Sequence, residues 1–425
     1  MKSVFKIALF AWCAIAYSMP SSAQALIEEE GPGPVIFISR DKNGKEEIIN
    51  IFKETQRPHF HDPGAPRFLL TDKEGKWALG IGGYVQAKAE YDFGGIVDNV
   101  DFYPALISNG KPRNQFQMDI TTSTLFLKLV GKTRNLGNFV VYTAGNWRGD
   151  GKTFELQNAY VQFLGMTLGY DTGTFMDLAA GPPTIDFAGP CGMTFYRSTL
   201  IRYEHTLGKG LSAGIALEMP DIDGSTNHYT SVNHQRLPDI PAYVQYGWDK
   251  GKSHVRLGGI YRNITYTDLV QDKTKSLTGW GLQASTIVAI GQPLQFFGQY
   301  TYGKGIGALI NDISNLNVDI VPNTEVEGKM QVLPMSGWYA GLQYNFAPNI
   351  FASATYSQSR LCSKHNYQEA YPEQYKQGQY LVANVFWNVI PNLQLGAEYL
   401  HGWRKDFDKE SNKANRINLS AKFSF

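Results

Sequence analysis

Apolar and polar residues alternate along several segments of the chain, most clearly near its C-terminus. In the last segment, 417–425, every odd-numbered residue is apolar and every even-numbered residue is polar. The segments 393–399, 381–388, 338–346 and 280–290 follow the same pattern with fewer polar positions. Because successive side chains of a β-strand point to opposite faces, each segment is predicted to be a strand with one apolar and one polar face.

The polar faces of these predicted strands are mostly small and uncharged, with Gly, Gln, Asn and Ser as the commonest residues. A soluble sandwich would instead expose charged side chains on its outer face. Aromatic residues gather at the segment ends, as they do in the interfacial girdles of membrane barrels. After residue 25 the sequence has no apolar stretch long enough for a membrane helix, so a membrane-spanning chain of this kind requires a closed barrel.

The connections between the predicted strands alternate in length. About sixteen strand-like segments follow Trp77. The short connections, rich in Gly, Pro and Asn, are 132–138, 164–165, 207–210, 249–252, 291–293, 347–349 and 390–392. The long polar connections include 94–114, 171–192, 220–240, 303–337, 360–378 and 405–415. This asymmetry predicts an all-β transmembrane antiparallel β-barrel over residues 77–425, with short periplasmic turns and long extracellular loops.

The N-terminal 76 residues divide into two further predicted regions. Lys2 and Lys6 precede an apolar run, and Ala23-Gln24-Ala25 is a cleavage site of the A-x-A type, so residues 1–25 are predicted to be a signal peptide. A lipoprotein anchored through Cys13 is the alternative. Residues 26–76 form an N-terminal periplasmic extension, predicted to be either an ordered tail along the lower rim or a plug entering the barrel.

Composition narrows the function classes. The 425 residues include 43 Gly, 24 Tyr and 24 Phe, and a net charge of +1 gives no support for a nucleic-acid partner. Cys191 and Cys362 are too few for a disulfide framework, and whether they pair is left open. His59, His61 and Asp62 could ligate a metal, but with no further ligands nearby no metal site is predicted. With no G-x-S-x-G or H-E-x-x-H motif, we expect neither an enzyme nor a cofactor.

The order of several short motifs resembles that of outer-membrane porins, and most closely the DcaP-like branch. The motifs are Gly82-Gly83-Tyr84-Val85-Gln86, Leu136-Gly137, Gln157-Asn158-Ala159-Tyr160-Val161, Leu168-Gly169-Tyr170 and Thr174-Phe175-Met176-Asp177. The resemblance implies a water-filled channel for passive diffusion of small hydrophilic solutes across the outer membrane of a Gram-negative bacterium. It also implies contact with outer-membrane lipid, a homotrimer, and a loop after the fifth strand that folds into the pore.

The resemblance and the alternation together give candidate pore residues. The constriction is predicted at 171–192, where Asp171, Asp177 and Asp186 supply acidic groups and several Pro and Gly residues shape the backbone. The inward parity of the strands gives the charged pore-lining candidates Lys88, Glu90, Arg202, Glu204, Arg256 and Arg262. If Arg256 and Arg262 face the acidic loop, the transverse field would favour small anionic or zwitterionic solutes.

Two other functions are open to a barrel of this kind. It could be a surface receptor or adhesin, or an outer-membrane hydrolase using His228, His234, His365 or His401 on or near the extracellular loops. A closed-lumen barrel would carry large apolar residues on its inward face, whereas small and amide side chains dominate that face here. The pattern therefore favours a wet pore.

Overall fold

The computed structural model describes residues 36–37, 51–52, 55, 57, 59–64, 66, 68–72, 76–108, 113–133 and 137–425. The predicted signal peptide, 1–25, lies outside these residues.

Sixteen long strands dominate the described part of the chain. They are β1 (Trp77–Phe93), β2 (Thr124–Thr133), β3 (Gly137–Gly149), β4 (Thr153–Phe163), β5 (Met166–Thr172), β6 (Arg197–Gly208), β7 (Leu211–Glu218), β8 (Ile240–Trp248), β9 (Ser253–Asp268), β10 (Lys273–Ile290), β11 (Leu294–Lys304), β12 (Pro334–Ala347), β13 (Ile350–Leu361), β14 (Tyr375–Ile390), β15 (Leu393–Asp406) and β16 (Ser411–Ser424).

Each strand pairs antiparallel with the next in chain order, and the last pairs with the first. Closure sets Asn415 opposite Phe93 and Ser424 opposite Tyr84. The backbone N–H groups of Gly83 and Phe425 each donate to the other residue's carbonyl, at 3.1 and 3.0 Å. The sixteen described strands therefore form a closed sheet, which satisfies their backbone polar groups without help from water. This confirms the predicted antiparallel barrel.

The two faces of the strands differ as the alternation predicts. On β2, Leu125 and Leu127 are exposed at 38% and 41%, whereas the intervening Phe126 and Lys128 are buried. The outward positions form an apolar surface suited to lipid, and the inward positions carry the polar and charged residues.

The boundaries of one predicted connection are wrong. The sequence predicts a long loop at 405–415, but β15 continues to Asp406 and β16 begins at Ser411, so the turn is only 407–410. Lys405 pairs with Ser411 and Trp403 with Lys413 in the ladder. Charged residues interrupt the apolar pattern there, yet backbone pairing continues beyond it because a strand end above the lipid needs no apolar face.

Several shorter elements accompany the sixteen barrel strands. Phe68–Thr71 pairs antiparallel with the start of β1 and parallel with Ile36–Phe37. The other short strands are Gln115–Asp119, Thr230–Val232, Val321–Pro322 and Met330–Gln331. One α-helical turn, Tyr367–Ala370, and the 3-10 turns Pro104–Leu106, Asp150–Lys152, Leu178–Ala180, Asp249–Gly251, Gly307–Leu309 and Ile313–Asn315 lie in connections. None of the helices in the described ranges is long and apolar enough to cross a membrane.

Three connections from the long-loop rim pack against inward-facing residues. The first loop, after β1, buries Val97, Phe102 and Ile107 against inward residues of β14, β15 and β16. The connection after β11 buries Ile306, Leu309, Ile310 and Ile313 in a cluster that includes Phe175, Leu333 and Leu361. Phe175 belongs to the third, the connection 173–196 after β5. The lumen is therefore occupied in part by the chain's own loops.

Candidate functional site

The inward loop, residues 173–196, crosses the lumen and contacts the far wall. The hydroxyl of Tyr339 on β12 donates to the carbonyl of Ala180 at 3.0 Å. Asn384 on β14 donates to the carbonyl of Pro183 at 2.8 Å, and the Gly192 N–H donates to the Ser357 hydroxyl at 2.8 Å. The loop begins next to β6 and reaches strands eight positions away, so it spans the pore rather than covering one side of its mouth.

The sequence of the inward loop suits this course. Pro182, Pro183 and Pro190 restrict the backbone, so less chain entropy is lost when it is held in one path. A Cβ on Gly192 would lie 2.3 Å from the carbonyl oxygen of Gln358, so only glycine permits this approach to the wall. The apolar side chains of Phe175, Ile185 and Met193 are buried. The loop is packed as tightly as a core segment.

Two carboxylates hold the centre of the inward loop. Glu398 on β15 accepts the backbone N–H groups of Ile185 and Asp186 at 2.7 and 2.9 Å, and also accepts the amides of Asn384 and Asn418. Asp186 accepts the Phe102 N–H at 3.1 Å and lies 3.0 Å from the Tyr380 hydroxyl. Burial, and then repulsion from Asp101 and Glu398, raise the pKa of Asp186 to about 8. Asp186 therefore joins the inward loop to the first loop.

Asp312 makes the same kind of connection to the loop after β11. It accepts the Ala105 N–H at 2.7 Å and hydroxyls of Ser359 and Tyr375 at 3.0 and 2.5 Å. Burial raises the pKa of Asp312 to about 6. The neighbouring Asn311 donates its side-chain amide to the carbonyl of Pro190 at 3.1 Å. All three loops are therefore fastened to one another through buried acids and amides.

The remaining predicted loop acids lie at the start of the loop or just before it. Asp177 contacts the His254 ring at 2.7 Å and accepts the Ser285 hydroxyl at 2.6 Å, which ties the loop to β9 and β10. Asp171 is the penultimate residue of β5, not part of the loop, and its carboxylate pairs with Arg202 at 2.8 Å.

The predicted pore-lining residues all occupy inward positions, but most are paired and covered. Lys88 lies 3.2 Å from Glu90 and 3.3 Å from Asp119, and Glu90 lies 3.4 Å from Arg416. Arg202 pairs with Glu204 at 3.2 Å as well as with Asp171. Lys88 and Glu90 are each only 1% exposed.

Arg256 and Arg262 do not face the loop across an open gap. Arg256 donates to the carbonyl of Thr174 at 2.6 Å and stacks over the Tyr243 ring at 3.5 Å, so it holds the start of the loop. Arg262 is fully buried, 2.9 Å from Asp239 and 3.3 Å from Asp319. The sequence predicts the face of both residues, but it gave no sign that the 219–239 and 305–333 connections would bury Arg262.

Arg416 is an inward residue that the sequence analysis did not single out. Its guanidinium pairs with Asp92 at 2.6 Å and donates to the carbonyls of Val97 and Asn99 at 2.9 and 2.8 Å. Arg416 has the same parity as Asn418 and Lys422, so the alternation could have placed it on the inward face. It anchors the first loop as Glu398 anchors the inward loop.

Three inward cations differ from these paired residues. Among the residues that the structure describes, Lys128, Arg197 and Lys422 form no ion pair. Arg197 stacks over the Phe195 ring at 4.9 Å, Lys422 lies 4.9 Å from the rings of Phe60 and Tyr84, and Lys128 donates to the backbone carbonyls of Phe52 and Thr55. The sequence analysis did not single out Lys128.

A small and mostly polar cavity lies beside the inward loop. Its wall is formed by Thr124, Asn146, Gln157 and Asn158 on β2, β3 and β4, with Arg197 beside them. Its other side is formed by Leu178, Phe187 and Phe195 of the loop. His59, His61 and Asp62 of the N-terminal extension also border it.

The extracellular histidines form no catalytic arrangement in the described residues. His365 lies 3.2 Å from Glu325 and His401 lies 2.9 Å from the Asn415 side chain, so neither of these contacts is to a serine or a cysteine. No group of three or more His, Cys, Asp or Glu side chains in the described ranges is arranged to hold a metal ion. Cys191 and Cys362 are both free thiols, which answers the question of their pairing.

A closed sixteen-stranded barrel, with an apolar outer face and a loop folded into a polar lumen, defines the class as a porin of the Gram-negative outer membrane. A family profile described as DcaP outer membrane protein matches residues 97–425. The chain belongs to this family, as the sequence motifs indicate. Comparison with curated proteins gives no match.

Solved structures share the fold. The outer membrane channel DcaP of Acinetobacter baumannii is 21% identical, with a TM-score of 0.74 over 84% of this chain and 99% of that chain. An anion-selective porin from Comamonas acidovorans is 12% identical, with a TM-score of 0.54 over 82% and 100%. The trimer form of in-vitro folded OmpT from Vibrio cholerae is 11% identical, with a TM-score of 0.50 over 82% and 100%.

The raised pKa of Asp186 predicts a pH-dependent stability. A carboxyl whose pKa is higher in the folded state stabilises the fold fully below its usual value near 4, and loses that contribution as the pH rises through about 8. The unfolding temperature should therefore fall as the pH rises from about 4 to about 8, and this group should change it no further above that. Asp186→Asn keeps an uncharged side chain that can accept from Phe102 and donate to Tyr380, so its unfolding temperature should fall less over this range.

The matched control is Asp150→Asn, which changes an exposed carboxylate in the turn after β3. It should retain the dependence of the unmodified protein. An Asp186→Asn variant that follows the unmodified protein at every pH would show that this carboxyl is already ionised in the fold.

Proposed function

We propose that the protein is a passive diffusion channel for small anionic solutes, with the inward loop as its constriction. The observation that carries the charge preference is the imbalance between paired and unpaired charges in the lumen. The acids of the inward loop serve as anchors, since each described one accepts backbone or side-chain hydrogen bonds. Arg197 borders the small cavity beside the inward loop, and Lys422 lies inside the barrel next to Phe60 and Tyr84. Neither cation has an ion-pair partner among the described residues.

An unpaired charge affects a passing ion more than a paired one does. The field of an ion pair falls off faster with distance than that of a single charge, and the low-dielectric wall on one side strengthens what remains. Lys88, Glu90, Arg202, Glu204, Arg256 and Arg262 are therefore proposed to shape the wall and hold the loops, while Arg197 and Lys422 set the preference for anions. The anion selectivity of the Comamonas porin, which shares the fold, supports this proposal.

Replacing Arg197 and Lys422 with Gln should reduce the preference for chloride over potassium, measured as a reversal potential across a planar bilayer with a salt gradient. A unit charge about 6 Å from the path contributes about 0.7 kcal/mol at the dielectric constant of water. Each charge favours the anion and disfavours the cation by this amount, so the permeability ratio should fall roughly tenfold for each charge removed. Lys413→Gln is the control, because Lys413 lies on β16 like Lys422 but at an exposed position of opposite parity.

Equal reversal potentials for the double variant and the Lys413→Gln control would remove these two cations from the selectivity mechanism. A cation-selective unmodified protein would contradict the proposed solute class itself.

We also propose that the protein assembles as a homotrimer and has no catalytic activity of its own. The support for trimerisation is the shared fold with the OmpT form that is described as a trimer. Purified protein in mild detergent should have a mass of three chains, measured by light scattering with correction for bound detergent. An intact barrel with the mass of one chain would contradict the trimer.

A further inference from the structure

The described residues between Ile51 and Pro66, here called the N-terminal segment, lie inside the barrel. Their contacts are with inward-facing side chains of the wall and with the inward loop. The wall residues are Gly80 and Tyr84 on β1, Lys128 on β2, Tyr142 on β3, Tyr160 on β4, Asp171 on β5, Phe351 on β13, Phe386 on β14 and Lys422 on β16. An ordered tail along the rim would not reach these positions.

Arg57 attaches the segment to one side of the wall. Its guanidinium lies 2.7 Å from Asp171 and 3.1 Å from Asp62, and donates to the Thr172 hydroxyl at 3.3 Å. It also lies 5.8 Å from the ring centroids of both Tyr142 and Tyr160. These additional partners surround the ion pair, so solvent screening weakens its attraction little.

Phe60 contacts the opposite side. Its ring centroid lies 4.9 Å from that of Phe386 and 6.3 Å from that of Phe351. In a sixteen-stranded barrel, β5 and β13 are eight strands apart and therefore face each other across the lumen. Arg57 and Phe60 thus connect opposite walls within four residues.

Further contacts fix the segment along its length. Lys128 donates its ammonium to the carbonyls of Phe52 and Thr55 at 3.1 and 2.9 Å, and the Tyr84 hydroxyl donates to the carbonyl of His61 at 3.0 Å. A Cβ on Gly80 would lie 2.5 Å from the ring of Pro66. Lys128 thus binds the N-terminal segment and forms no ion pair with an acidic residue in the described part of the chain.

The segment meets the inward loop and leaves little room between them. The His61 ring lies 5.1 Å from Phe187 and 3.5 Å from the Thr184 hydroxyl, and the His59 ring lies 6.1 Å from Phe195. Burial lowers the pKa of His59 to about 4, so this histidine is neutral near pH 7. The cavity that these residues border is about 30 Å³, enough for a water molecule or two but not for an organic solute.

We propose that the N-terminal segment is a resident plug, and that solute passage requires its displacement from the lumen. The proposal rests on the proposed channel function. The Arg57 ion pairs and the Phe60 ring contacts hold the plug at its two sides, and the inward loop lies above it. Displacement exposes Asp171, Lys128 and Lys422 to water, so their charges then line an open path.

The test compares four proteins in planar bilayers: the full chain, a variant lacking residues 51–66, the double variant Arg57→Ala/Phe60→Ala, and a cross-linked variant. The last carries Phe60→Cys and Phe386→Cys with Cys362→Ser, closed by a short reducible bifunctional thiol reagent. Deletion and the double substitution should raise the mean conductance severalfold, because the closed fraction is lost. Cross-linking should lower it below that of the full chain, and a reducing agent should restore it.

Each variant with only one of the two new cysteines, treated with the same reagent, controls for modification alone, including that of the buried Cys191, and should conduct as the full chain does. Heat-modifiable gel mobility checks that each barrel is folded. Equal conductance of the full chain, the deletion and the cross-linked protein would overturn the plug while leaving the channel intact. Absence of conductance in all four folded proteins would overturn the proposed channel, and the plug with it.

Discussion

Buried charges inside a closed barrel must find partners, and this constraint organises the whole lumen. An unpaired polar group away from water costs on the order of 1–3 kcal/mol, and an unpaired charge costs more. Glu398 and Asp312 meet this cost by accepting backbone N–H groups of inward-folded loops, and neither forms an ion pair with a described lysine or arginine. A carboxylate on the wall therefore determines where a loop lies. The backbone N–H groups of the strands are already bonded in the β-ladder, so only a loop can supply N–H groups to the carboxylate.

The same constraint separates structural from functional charges. Arg262 and Arg416 are fully enclosed by carboxylates and carbonyls, so they stabilise loops and have no accessible charge to offer a solute. Arg197 and Lys422 are only partly buried. Aromatic rings contact these two cations, whereas carboxylates contact Arg262 and Arg416. We propose that pore selectivity depends on the cations that have no acidic partner among the described residues, which is a property of packing more than of composition.

The sequence predicts the fold well because alternation is a local property. The parity of Leu125 and Phe126, or of Asn418 and Leu419, follows from neighbouring residues, and closure then follows because a membrane sheet cannot leave its edges unpaired. Strand ends are less predictable. At 405–415 the apolar signal stops at the lipid boundary, whereas the backbone ladder continues to Asp406.

Site residues are harder to predict because their partners are distant in sequence. Arg57 and Asp171 are 114 residues apart, and Ala105 and Asp312 are 207 residues apart. The periodicity within one segment carries no information about pairs so far apart in the sequence. The prediction that Arg256 and Arg262 would face the loop across the pore considered only their parity, since the burying connections have no regular pattern from which their course could be read.

The central claim is that the inward loop sets the size limit of the channel. It is tested most directly by the entry of sugars of increasing size into liposomes that contain the protein without residues 51–66, with and without residues 182–190. Removing 182–190 takes away the part of the loop that Glu398 and Asp186 hold across the lumen. We expect larger sugars to enter only after this second deletion, and an identical size limit for the two folded variants would contradict the account.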